Sequence, residues 1–87
     1  MPSVKVQMYA TIREAAGVPE ISVEASDLED LLAGLKKLFG RPFARAIADG
    51  ESVVILVNGR NESPRPGVRT RLKAGDEVSI FPPVSGG

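Results

Sequence analysis

The chain has 87 residues, eleven of them basic and eleven acidic, with no histidine and no cysteine. That length allows one domain with a small core, and the balanced charge supplies no global field toward nucleic acid or an anionic membrane. Without cysteine there are no disulfides or thiolate zinc sites, and without histidine the usual neutral-pH base is missing.

No apolar run reaches the length of a membrane span, and Met1-Pro2-Ser3-Val4 leads straight into a strand pattern rather than a signal peptide. A soluble, cytoplasmic protein is expected. Val4, Val6 and Met8 fall on one face of an alternating run, with Lys5, Gln7 and Tyr9 on the other, which predicts a half-buried strand. Thr11 to Gly17 suits a helical turn too short to stand alone. After the Gly17-Val18-Pro19 break, Ile21 to Ala25 alternates again and should pair antiparallel with the first strand.

Ser26-Asp27-Leu28-Glu29 reads as a capping box with Ser26 at the N-cap. Leu28, Leu31, Leu32, Leu35, Leu38 and Phe39 then recur at helical spacing as one apolar stripe that must cover the sheet. Gly34, in mid-helix, is read as marking a close approach to a strand, and Gly40 with Pro42 ends the helix. Arg41 to Asp49 suits a short helical turn with Phe43 and Ile47 inward and Gly50 ending it. Val53 to Val57 is a continuous apolar run, the pattern of a central or doubly covered strand.

Asn58-Gly59 is a strong turn signal, followed by a brief edge strand and a loop over residues 60–67. Ala74-Gly75-Asp76 makes another turn. Glu77 to Phe81 is the last strand, with Val78 and Ile80 on one face and Ser79 and Phe81 on the other. This order predicts an α+β chain of the β-grasp (ubiquitin-like) plan. A mixed four- to five-stranded sheet carries one main helix across one face, with the last strand parallel to the first at its centre. Residues 1–81 form the domain, and residues 82–87 an exposed tail.

The acids lie apart or flank elements, and those at the helix start have a sufficient role beside its N-terminus. No GxGxxG or GxxxxGK[ST] loop occurs. Arg60, Arg65, Arg69, Arg71 and Lys73 crowd fourteen positions that hold one acid, Glu62. They form either a solvated loop or a basic lip, with Arg60 and Arg71 candidates for steering an acidic partner surface. Tyr9 and Phe81 both fall opposite their strands' aliphatic residues, on the side a single helix leaves open. They are candidate partner anchors; the alternative is that they pack beneath the 60–71 loop. In the tail, Pro82 and Pro83 favour an extended arm. Val84 and Ser85 follow, and Gly86 and Gly87 have no side chains to keep a narrow cleft from closing around them. That suits a Gly87 carboxylate offered to another protein's active site; a frayed terminus is the plain alternative.

Ending in FPPVSGG, preceded by LKAGDEVSI and VVILVNGR, the sequence resembles the ubiquitin-like sulfur carriers of the MoaD/ThiS type, most of all the small subunit of molybdopterin synthase. The resemblance covers nearly the whole chain, from VKVQMYATIREAAG through the Leu28–Phe39 helix to the tail. It implies that an ATP-using adenylyltransferase related to ubiquitin-activating enzymes adenylates Gly87, and that persulfide sulfur then converts it to a thiocarboxylate. It also implies that the tail enters the large subunit of molybdopterin synthase, which uses the sulfur to build the dithiolene. No cofactor or metal is then expected on this chain, because ATP and metal belong to the activating partner. Tyr9 and Phe81 match positions where the family places exposed hydrophobics at the partner interface. The polar Asn61-Glu62-Ser63, followed by prolines, departs from the aliphatic residues many members carry there.

Three other functions share parts of this pattern. A protein modifier would join the adenylated glycine to a lysine, and a donor for tRNA thiolation or thiamine would pass the sulfur elsewhere. Thiamine carriers tend to be shorter and to lack the double proline. A plain β-grasp interaction domain leaves the tail unexplained.

Overall fold

A computed structural model describes residues 2–47, 53–62, 67 and 69–82. Strand β1 (Ser3–Met8) buries Val4, Val6 and Met8. Helix α1 (Ala10–Ala16) follows directly, pinned by the fully buried Ile12. A turn this short lacks the hydrogen bonds to persist alone, so burial of Ile12 supplies what propensity does not. Gly17 ends it at φ 84°, its N–H donating to the Arg13 carbonyl in a left-handed cap. Strand β2 (Glu20–Glu24) returns antiparallel to β1, Val6 facing Ile21 and Val4 facing Val23.

Helix α2 (Leu28–Phe39) begins one residue later than the capping-box reading places it. Its N-cap is Asp27, whose Oδ1 accepts from the Asp30 N–H at 2.7 Å. The cause is tertiary. The Ser26 carbonyl accepts from Leu72 N–H at 2.9 Å, and Leu28 N–H donates to the Thr70 carbonyl at 2.8 Å, so the 69–72 segment holds Asp27, between them, in an antiparallel bridge with Arg71. Leu28, Leu31 and Leu35 are buried, and Leu32 and Phe39 pack at the core's border. Leu38 departs from the expected stripe: it is 56% exposed, in the last turn at the rim of the apolar arc. Gly34 is exposed, and a Cβ there would meet nothing within 4 Å, so it marks no close approach.

Gly40, at φ 82°, separates α2 from α3 (Arg41–Ala46), and Pro42 sits in the first turn of α3. Phe43 and Ile47 turn inward as expected, and Phe43 meets Phe39 at a ring-centroid distance of 5.3 Å. Asp49 and Gly50 lie outside the described residues. Strand β3 (Val54–Val57) is hydrogen-bonded on both sides but is not doubly covered. Ile55 and Val57 are buried, while Val54 and Leu56 are only half-buried on the opposite face. The reason lies in the helices: Ile12 of α1, Leu31 of α2 and Phe43 of α3 join one core with the inward strand residues.

Asn58 (φ 51°) and Gly59 (φ 84°) turn the chain into β4 (Arg60–Asn61), a short edge strand. Strand β5 (Glu77–Phe81) runs parallel to β1 and antiparallel to β3, giving the sheet order β2-β1-β5-β3-β4. The strand leading to the tail is therefore central, paired along both edges.

Candidate docking face and tail root

The register dictates what the open face of the sheet presents. Because Met8 pairs with Ile80 in the buried layer, Tyr9 and Phe81 come up beside each other on the other side. Their rings stack at a centroid distance of 4.4 Å with planes 5° apart. Tyr9 N–H donates to the Ile80 carbonyl at 3.2 Å, and its hydroxyl donates to Gln7 Oε1 at 3.0 Å, so the ring is held at both ends. It still leaves 37% of its surface exposed. Phe81 pairs with Val54, and Ser79 with Leu56. An apolar band of Tyr9, Phe81, Val54 and Leu56 thus crosses the central strands.

Polar groups border this band. Lys5 pairs with Glu20 at 3.5 Å, and Glu24 and Glu77 are exposed on the same face. Val54 and Leu56 were hidden in the sequence by their continuous apolar run. The signal that finds them is strand parity taken together with cover from one side only. Residues 69–71 lie on the helix-bearing side, since Arg71 bridges Asp27 and the following Leu72 is buried in the core. Pro82 is half-buried where the chain leaves β5, and Pro83, Val84, Ser85, Gly86 and Gly87 lie outside the described residues.

Arg69 is paired with Asp27 at 2.7 Å, and Arg65 lies outside the described residues. Arg60, Arg71 and Lys73 are exposed around a groove at the β4 edge. At its inner wall Asp76 accepts from the Lys73 N–H at 2.8 Å and from Asn58 Nδ2 at 2.9 Å. The Lys73 backbone bond, then the Asn58 bond, hold the Asp76 carboxyl below the usual aspartate range, against its burial and with help from the Lys73 charge. Asn58 completes the clasp by accepting from the Glu77 N–H at 2.9 Å, which ties the β3–β4 turn to the start of β5. Among the described residues no cluster of three carboxylates or other donors is placed to hold a metal ion. Among them, too, no helix is long and apolar enough to cross a membrane.

A mixed sheet in this order, with helices on one face only, defines a ubiquitin-like β-grasp protein. The chain belongs to the ThiS family, which matches residues 6–87. It is 39% identical to the molybdopterin synthase sulfur carrier subunit of Chlamydomonas reinhardtii, over 97% of this chain and 98% of that one. The structure of small archaeal modifier protein 1 from Methanosarcina acetivorans superposes with a TM-score of 0.79 at 36% identity, covering 100% and 98% of the two chains. A chain in the complex of subunits 1 and 2 of the molybdopterin-converting factor from Helicobacter pylori superposes with a TM-score of 0.65 at 27% identity, covering 98% and 99%. Relatives of this chain thus include a sulfur carrier subunit, a small archaeal modifier protein and a component of a two-subunit complex.

Proposed function

We propose that the chain is a cytoplasmic sulfur carrier whose reactive group is the Gly87 carboxylate, donating sulfur in molybdopterin synthesis. One observation carries the reading. The family match runs through Gly87, and the strand leading to it is the central β5, flanked where it ends by the Tyr9–Phe81 stack. A central strand anchors the root of the tail, and the open-face band offers a partner the apolar area to grip beside it.

The chemistry needs nothing more from this chain. A Gly87 carboxylate oxygen attacks the α-phosphorus of ATP on an adenylyltransferase, and pyrophosphate leaves. The terminal sulfur of a persulfide then attacks the acyl carbon and expels AMP. A second thiol breaks the resulting S–S bond, forming a disulfide and freeing the thiocarboxylate. ATP and its metal sit on the activating partner, so a chain without histidine, cysteine or a phosphate loop is adequate. The large subunit of molybdopterin synthase receives the thiocarboxylate. Gly86 and Gly87 suit this handling because the backbone alone must pass through a narrow active-site channel.

The likeness to a small archaeal modifier supports a second reading, in which the same adenylated glycine is joined to lysines. ATP–pyrophosphate exchange with the chain's activating enzyme tests what the two readings share. Exchange is expected with the chain ending at Gly87 and lost when one residue is added after it or Gly87 is removed. Full exchange by the extended chain, with no protease present, would refute the reactive-carboxylate reading. Lysine-linked adducts without any thiocarboxylate would favour the modifier.

A further inference from the structure

At the β4 edge lies a groove of about 260 Å3 whose walls include Arg60, Arg71, Lys73, Glu62 and Asp76. The three cations are exposed, and none has an ion-pair partner within 4.0 Å among the described residues. The two acids are already engaged. Asp76 accepts from Asn58 and from the Lys73 N–H, and Glu62 accepts from the Thr70 hydroxyl at 3.3 Å. Among the described residues the groove thus sets three cations against two carboxylates, a surplus of one positive charge, with Lys73 already acting on Asp76 and Arg60 and Arg71 open to a partner.

We propose that this groove docks an acidic segment of a protein partner, its carboxylates engaging Arg60 and Arg71 with Lys73 beside them. Arg60 pairs with the buried Val57, so it lies on the helix-bearing side, away from the Tyr9–Phe81 band. The groove is thus a second surface, and the proposal does not rest on the chemistry at Gly87. The sheet's other edge has the opposite sign. Glu20 and Glu24 are exposed on β2, where Lys5 pairs with Glu20 alone. Four inter-strand spacings, roughly 19 Å, separate these edges, and such a charge asymmetry orients an acidic partner as it approaches.

A peptide fits better than a nucleic acid. Arg60 and Arg71 each offer a guanidinium fork that a carboxylate fits bidentately, whereas single-stranded nucleic acid needs base contacts besides. The groove also has no aromatic ring on which a base could stack.

The test uses the full chain and a labelled, end-capped Glu-Asp-Glu-Glu-Asp-Glu peptide, read by fluorescence anisotropy at low and at high salt. Saturable binding that weakens with salt is expected, falling at least about tenfold in the R60E/R71E variant, as loss of charge pairing requires. The Gln-Asn-Gln-Gln-Asn-Gln counterpart should not bind. A melting curve checks that the variant folds, and R60Q/R71Q serves in its place if it does not. No binding, equal binding of the neutral peptide, or binding untouched by either double variant would overturn the proposal. So would a short single-stranded RNA that binds through Arg60 and Arg71 where the acidic peptide does not.

Discussion

Tyr9 and Phe81 stack face to face across the parallel seam of β1 and β5, ring centroids 4.4 Å apart. Neither ring is in the core, yet both are fixed by it. The buried pairing of Met8 with Ile80 brings the two following residues together on the opposite face. The stack marks the point where the chain leaves the sheet for the tail.

Removing either ring should therefore affect docking more than folding. Tyr9→Ala and Phe81→Ala are each expected to weaken binding to the activating partner by about 1–3 kcal/mol. A double-mutant cycle on the isolated chain should give a coupling of about 0.5–1.5 kcal/mol, the range for stacked aromatics. Normal partner binding by variants that unfold easily would make the rings core residues and leave the open-face band without its role.

The helix stripe provides an internal contrast. Leu31→Ala and Leu35→Ala should each destabilise by about 2–5 kcal/mol, because both side chains are fully enclosed. Leu38→Ala, at an exposed rim, should cost no more than about 0.5 kcal/mol. Urea denaturation of the three variants measures this. Equal losses at all three would mean that α2 is rotated from its described face.

Most of the fold was legible because hydrophobic period and turn chemistry agree over β1, β2, α2 and β5. The candidate site was legible in part. Parity placed Tyr9 and Phe81 on the open face, but the Val53–Val57 run conceals which half faces outward, since apolar residues fill both faces. The helix start was misplaced for a different reason: Ser26 and Asp27 both suit a cap, and the choice falls to the distant 69–72 segment, which engages the Ser26 backbone. The same distance in sequence hides the Arg69–Asp27 pair, which divides a basic run that looks continuous when read residue by residue.

That choice of cap can be measured. In an Arg69→Ala background, which removes the Arg69–Asp27 pair, Asp27→Ala should destabilise by about 0.5–2 kcal/mol, as N-cap loss does, and Ser26→Ala by a few tenths at most, because only its carbonyl is used. Thermal melts of the two variants decide it. A larger loss at Ser26 would restore the capping box.

Asp76 predicts a pH dependence. Its carboxyl titrates below the usual range in the folded chain because the Lys73 N–H and Asn58 bond the charged form. With the folded pKa below the unfolded one, the stabilisation is complete above the unfolded value of about 4 and fades as pH falls through the folded one. Asp76→Ala should therefore cost about 1.5–3 kcal/mol at pH 7, the worth of charge-assisted hydrogen bonds. The gap from the unsubstituted chain should narrow in strong acid. A gap constant across that range, measured by urea denaturation at each pH, would show that the charge is not what the clasp uses.

The central claim is that Gly87 carries sulfur, and intact-mass analysis of the chain recovered from its native cells tests it most directly. The account predicts a population heavier by the difference between sulfur and oxygen, with the change located on the C-terminal fragment. That population should disappear when the activating enzyme is removed. A terminus that stays an ordinary carboxylate in cells actively making the cofactor, with the activating enzyme present, would contradict it.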